Sequence, residues 1–317
     1  MHVRLGSVCL GLVLFSVCLL GTILNLITLS FVEVKCHTEQ RNFRTAVLIS
    51  GQARTLTMDY EDEQFPKGLE HMIVNAEFPS LDFMEGKAPV AASFHRFLYT
   101  SLQDFDVFVM ISIPSNIGEE VQKQRTDAYC NALKPLKETN QISCEARTDI
   151  ALAYNRSEIM RNFYFEGNPT YENGLMQQLY GLHYVNEMRK EHERNTGIQY
   201  THMVRVRTDI IFAQELPPLQ SLDFGRIGAR KVLYASRSCC CGNEDWFGLG
   251  TVDVMDHYFS RISLLFLTFD AHWRQNVWTA ESFLVSFLDR HNAKLVSSSQ
   301  IFACVVKPKN RTEVSQF

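Results

Sequence analysis

The stretch "THMVRVRTDIIF" (201–212) decides how this chain is read. Val204, Val206, Ile210, Ile211 and Phe212 supply the β-branched and aromatic composition of a buried strand. Yet Arg205, Arg207 and Asp209 are threaded through it. Side chains alternate along a strand with a period of two, so both arginines fall on one face. Their guanidinium forks suit phosphate or carboxylate groups. Asp209 falls near the C-terminal part of the strand or in the turn after it. Ligands of open α/β sheets lie beyond the C-terminal ends of the strands, so a carboxylate there is placed to meet a metal or a diphosphate. A hard cation such as Mg²⁺ or Mn²⁺ takes oxygen ligands, commonly one or two carboxylates plus substrate phosphates. The bland alternative is an edge strand with paired surface charges.

Working towards the N-terminus, "TAVLIS" (45–50) is a compact apolar run stopped by Gly51, and it predicts a buried strand. "SGQART" (50–55) follows it directly. Gly51 permits close approach of a ligand, Ser50 and Gln52 offer hydrogen bonds, and Arg54 supplies charge. This is neither a Walker loop nor a dinucleotide fingerprint, and a plain turn is its bland reading. "DVFVMIS" (106–112) predicts a second buried strand and "QISCEAR" (141–147) a third. Helical spacing marks 91–105, 117–136 and, most clearly, 172–197. Beyond the central stretch, "KVLYAS" (231–236) and "DWFGLG" (245–250) read as strands, and 252–269 and about 279–290 as helices. Strands alternating with helices in this way predict an α/β fold with a mainly parallel sheet flanked by helices.

From Leu5 to Val32 no charged residue occurs. A spanning helix needs roughly 20 apolar residues, and the stretch around "CLLGT" is a poor cleavage site. The run therefore reads as a transmembrane signal-anchor, with 1–4 as a cytosolic tail, 33–44 as a stem and 45–317 as a luminal domain. Sequons at Asn155 and Asn310 agree with a glycoprotein on that side. Of the nine cysteines, Cys9 and Cys18 fall in the anchor. The others are Cys36, Cys130, Cys144, Cys239, Cys240, Cys241 and Cys304, with no zinc-type spacing, and they predict disulfides in an oxidising lumen. The net charge of -4, without a basic cluster, argues against a nucleic-acid partner.

Six segments occur in a telling order: "LISGQART" (48–55), "DFDVFVMIS" (104–112), "GLMQQLYGLHYVNEM" (174–188), "MVRVRTDIIF" (203–212), "DWFGLG" (245–250) and "ESFLVSFL" (281–288). The order resembles that of nucleotide-sugar glycosyltransferases related to the WavE lipopolysaccharide-synthesis proteins and their eukaryotic, Golgi-type relatives. The resemblance covers roughly residues 45–290. It implies a GT-A-like fold and a nucleotide-sugar donor, with a glycan, protein or lipid as acceptor. It also implies residence in the Golgi or ER membrane, with Asp209 where such enzymes place the metal-binding carboxylate. The chain departs from the pattern in two places. Arg207-Thr208-Asp209 stands where a full D-x-D would be, and Ala280-Glu281 stands where relatives often have Pro-Glu.

Inverting sugar transfer needs a carboxylate to take the acceptor proton, and Asp245 and Glu281 are the two candidates. Each has a structural alternative; for Glu281 it is complementing a helix dipole. Trp246 and Phe247 offer a sugar platform or plain core packing. A retaining mechanism would need no such base. His272 and Trp273 in "DAHWRQ" (270–275) are candidates to reach the site, His272 as a metal ligand or, in the preferred reading, a satisfied histidine. The Cys239–Cys241 run reads as disulfide bracing rather than redox chemistry. Two other classes compete: a sulfotransferase, for which "SGQART" carries too few cations, and a glycosyltransferase fold without activity.

Overall fold

The first strand, β1 (Arg44–Gly51), is apolar on both faces because helices and loops cover both sides of the sheet. The computed structural model describes residues 44–52, 88–113, 118–148, 169–212, 214–227, 230–237, 245–265 and 280–305. The tail, the anchor, stem residues 33–43, Arg54, Asn155, Asn310, Cys36, Cys239–Cys241, His272 and Trp273 lie outside these residues, whereas Arg44, expected to end the stem, opens β1. No helix among the described residues is long and apolar enough to cross a membrane.

After β1 come α1 (Pro89–Ser93), continued by a π-helical turn at Phe94–Tyr99, and then β2 (Asp104–Ile113). Next are α2 (Glu119–Ala132), β3 (Ile142–Thr148) and the long helix α3 (Pro169–Thr196). The stretch that opened the sequence analysis is not one strand but two, β4 (His202–Arg207) and β5 (Ile210–Phe212), parted at Thr208–Asp209. β6 (Arg226–Ile227), β7 (Arg230–Arg237) and β8 (Phe247–Thr251) follow. The chain continues through α4 (Val252–Phe259), a 3-10 segment (Ser260–Leu265), α5 (Ala280–Arg290) and β9 (Ala293–Val305).

The sheet order is β3-β2-β1-β4-β8-β7-β9-β5, with β6 paired to β7. The expected parallel sheet is found over β3, β2, β1 and β4 and again between β7 and β9. Elsewhere the sheet is mixed: β8 runs antiparallel to both β4 and β7, and β5 to β9. The chain between Arg237 and Phe247 is too short for the crossover helix that a parallel β7–β8 pair would require. β9 was not anticipated, because the serine run Ser297–Ser299 interrupts its apolar pattern.

Strand order reverses at β1. The chain moves outward through β2 and β3, then returns to lay β4 on the other side of β1. Such a reversal opens a crevice at the C-terminal ends of the two neighbouring strands. Gly51 and Gln52 stand at one lip and Arg207–Asp209 at the other.

Two cores fill the faces of the sheet. Val47, Ile49, Val204 and Val206 pack with Phe94, Phe97 and Leu98 on one side. Ala46, Leu48 and Met203 pack with Leu179, Leu182, Tyr258 and Phe287 on the other. By alternation Arg205 and Arg207 follow Met203 onto the α3 face. At the opposite end of β1, Arg44 grips Asp106 through two hydrogen bonds of 2.8 Å, and Tyr200 donates to the same carboxylate at 2.6 Å. Arg189 joins α3 to α4 by pairing with Asp256 at 2.6 Å. A disulfide between Cys130 and Cys144 ties α2, which buries none of its residues, to β3. It meets the expectation of disulfides at one pair.

Candidate functional site

At the β1 lip the backbone of Gly51 has φ of 147°, a conformation that side-chain-bearing residues rarely adopt. A Cβ there would lie 2.9 Å from Thr208 Oγ1. That hydroxyl donates to the Gln52 carbonyl at 2.8 Å, so the two lips are stitched together by one bond that needs a glycine beside it. Gln52 Nε2 donates to Gln177 Oε1 at 2.9 Å, bringing α3 to the same edge. Gly181 brings α3 closer still: a Cβ at that position would sit 3.4 Å from Ser50 Cβ.

At the β4 lip Arg207 holds Asp209 with both prongs, Nε to Oδ1 at 2.9 Å and Nη2 to Oδ2 at 2.6 Å. The two residues close the turn that ends β4, and Asp209 is 5% exposed. Each oxygen of the expected metal carboxylate therefore already accepts from a guanidinium. Among the described residues no group of three or more His, Cys, Asp or Glu side chains is arranged to hold a metal ion. A divalent cation at Asp209 would meet a carboxylate already neutralised by Arg207, so this donor fits such an ion poorly.

Below this edge lies a buried polar cluster that no single segment of sequence displays. Arg205 is 0% exposed, and its Nη1 donates to the Ser50 carbonyl at 3.3 Å and to the Val206 carbonyl. Arg261, 1% exposed, comes from the 3-10 segment after α4. Its Nε donates to the Tyr258 carbonyl at 3.0 Å, and its guanidinium lies 4.2 Å from the centre of the Tyr258 ring. Asp245, 2% exposed, accepts from Gln178 Nε2 through Oδ2, and the same oxygen faces Arg261 Nη1 at 3.7 Å. The Tyr258 hydroxyl donates to the Asp245 carbonyl at 2.9 Å.

The charges in this cluster do not cancel. Among the described residues two guanidinium groups face one carboxylate. Burial pulls the pKa of Arg205 down to about 10; Asp245 and Tyr258 oppose that shift, and Arg207 and Arg261 add to it. It stays charged at neutral pH. Burial pushes the Tyr258 phenol up, which keeps it protonated. Nε and Nη2 of Arg205, Nη1 and Nη2 of Arg261 and Oγ of Ser50 find no hydrogen-bond partner among the described residues. Each buried donor left without a partner costs about 1–3 kcal/mol, more when charged. Unmatched cationic donors at a crevice of this topology are what an anionic ligand would satisfy.

Several expected site residues thus gather at one place. Ser50, Gly51, Gln52, Arg205, Arg207, Asp209 and Asp245 line or underlie the β1–β4 crevice. Glu281 stands in the first turn of α5, where only its backbone is described. Phe247 is fully buried and packs edge-on against Phe212 at 6.0 Å, so it belongs to the core and not to a sugar platform. Trp246 is half-buried beside it. Gln178, Tyr258 and Arg261 were not anticipated. Two signals were available: the polar pair Gln177-Gln178 within an apolar helical stripe, and Arg261 as a lone charge within the run from Tyr258 to Phe269.

No protein-family model and no curated protein matches the chain. Among solved structures, the glycosyltransferase GlyE of Streptococcus pneumoniae TIGR4 is similar at 14% identity, with a TM-score of 0.34. That match takes in 81% of this chain and 46% of the other, so the chain spans less than half the length of GlyE. A nucleoside-diphosphate-sugar pyrophosphorylase from Vibrio cholerae RC9 is similar at 10% identity, with a TM-score of 0.34. There the match takes in 81% of this chain and 93% of the other.

Proposed function

We propose that the chain is a glycosyltransferase that takes a sugar from a nucleotide-diphosphate donor and passes it to a glycan, protein or lipid acceptor. One observation carries this reading: two buried arginines hold unmatched N–H donors at the C-terminal end of β1 and β4, where strand order reverses. The GT-A-like order of motifs supports it. In transfer, the bond from the sugar's anomeric carbon to the diphosphate oxygen breaks and a bond to the acceptor hydroxyl oxygen forms. The departing diphosphate gains negative charge, and preorganised guanidinium groups stabilise that charge as it develops. The acceptor proton passes to a carboxylate, for which we propose Glu281. Asp245, enclosed by Gln178 and Arg261, serves as their counter-charge.

Ser50, Gly51, Gln52 and Arg54 form the proposed donor loop, with Arg205 and Arg207 opposite. The proposed setting is a single-pass type II protein of the Golgi or ER membrane, anchored by 5–32 and glycosylated at Asn155 and Asn310. Incubating the detergent-solubilised full chain with a panel of nucleotide sugars, and measuring nucleoside diphosphate release with and without glycan acceptors, tests the activity. Release from one donor is the expected result; none from any donor, with nucleotide binding intact, would point to a binding protein. Glycosidase treatment of membranes tests the topology, through a mobility shift that vanishes in an Asn155→Gln, Asn310→Gln double variant.

A further inference from the structure

We infer that the donor's diphosphate is neutralised by the buried Arg205–Arg261 pair and not by a divalent cation at Asp209. The inference rests on the nucleotide-sugar reading and names the charge that this site supplies. Two facts set Asp209 aside. Both of its oxygens already accept from Arg207, at 2.9 and 2.6 Å. Among the described residues, moreover, no group of three or more His, Cys, Asp or Glu side chains is arranged to hold a metal ion. Asp245 is no substitute, being engaged by Gln178 and Arg261.

The cationic side is already built. Arg205 donates through Nη1 to two backbone carbonyls and lies against the Tyr258 hydroxyl, while Nε and Nη2 lack hydrogen-bond partners. Arg261 is fixed through Nε and by stacking on Tyr258; neither Nη atom makes a hydrogen bond, although Nη1 lies 3.7 Å from Asp245 Oδ2. Each guanidinium is thus held by one part of its fork, and the rest is buried without a hydrogen-bond partner. Planar forks match phosphate oxygens two at a time. Among the described residues Arg205 and Arg261 carry two positive charges against the one carboxylate of Asp245, a surplus of one. The Arg207–Asp209 pair adds none, being neutral as a unit. Ser50 Oγ, also unmatched, adds a neutral donor or acceptor on the β1 side.

Isothermal titration of the full chain in detergent with UDP, GDP and inorganic pyrophosphate, in EDTA and then in MnCl₂, tests the inference. Binding of at least one nucleoside diphosphate is expected in EDTA, changing less than about threefold when Mn²⁺ is added. Arg261→Gln is expected to weaken that binding by about tenfold or more, whereas Arg230→Gln, at an exposed pair on β7, leaves it unchanged. Binding lost in EDTA and restored by Mn²⁺ overturns the inference and leaves the nucleotide-sugar reading standing. Absence of binding in both conditions overturns that reading as well. The EDTA comparison needs only the unmodified chain, so it decides the matter even where Arg261→Gln fails to fold.

Discussion

Replacing Gly51 by alanine should damage both stability and ligand binding, for reasons that can be separated. At φ of 147° the backbone occupies a region essentially reserved for glycine, and holding alanine there costs about 1–3 kcal/mol. The new methyl would also approach Thr208 Oγ1 to 2.9 Å and displace it from the Gln52 carbonyl. Losing that bond adds roughly 1 kcal/mol. The total is about 2–4 kcal/mol, which for a domain of this size lowers the melting temperature by roughly 5–15 °C. Differential scanning calorimetry of Gly51→Ala, Thr208→Ala and the double variant separates the two causes. In the Thr208→Ala background the contact is gone, so Gly51→Ala should cost less by the contact share while the backbone share remains. A melting temperature within about 1 °C of the parent for Gly51→Ala would refute the account of the two lips.

Gly181→Ala should act in the opposite direction. A Cβ there meets Ser50 at 3.4 Å, which is ordinary contact, and alanine is favoured over glycine within a helix by about 1 kcal/mol; a rise of a few degrees in melting temperature is the check, and a fall would show that α3 cannot yield. Asp245→Asn leaves Arg205 and Arg261 without buried counter-charge, so it should cost about 3–5 kcal/mol in a denaturant titration. Glu281→Gln should instead leave stability near the parent value while cutting transfer by about 10²–10⁴-fold; full transfer in that variant would move the reading to a retaining mechanism. Burial lowers the pKa of His183, His202 and His291, the last aided by its neighbour His257. The unfolded chain therefore takes up protons more readily than the folded one, and the stability these residues contribute is present above about pH 6.5 and lost as pH falls below it. Thermal melts from pH 8 to 5 should show that decline, with a smaller slope for His202→Gln.

The sequence by itself determined several of the buried strands and where charge interrupts them. β1 and β2 follow directly from apolar, β-branched runs, and α3 from its periodic face, because periodicity and composition act locally. It also placed glycine and charge at the end of β1 and along β4, since Gly51, Arg205, Arg207 and Asp209 break the patterns around them. Only the tertiary structure decided what each charge meets. Asp209 stands in the sequence as a free carboxylate beside a strand, and the fold gives both of its oxygens to Arg207. Asp245 reads as one of two candidate bases, and the fold encloses it with Gln178 and Arg261, 67 and 16 positions away along the chain. The split of the 201–212 stretch was equally illegible, because β4 and β5 share a composition and differ only in their partners, β1 and β8 against β9. The physical reason is common to all three. Burial and alternation are fixed by neighbours in sequence, whereas the state of a buried charge depends on which distant side chains the sheet order brings within a few ångströms of it.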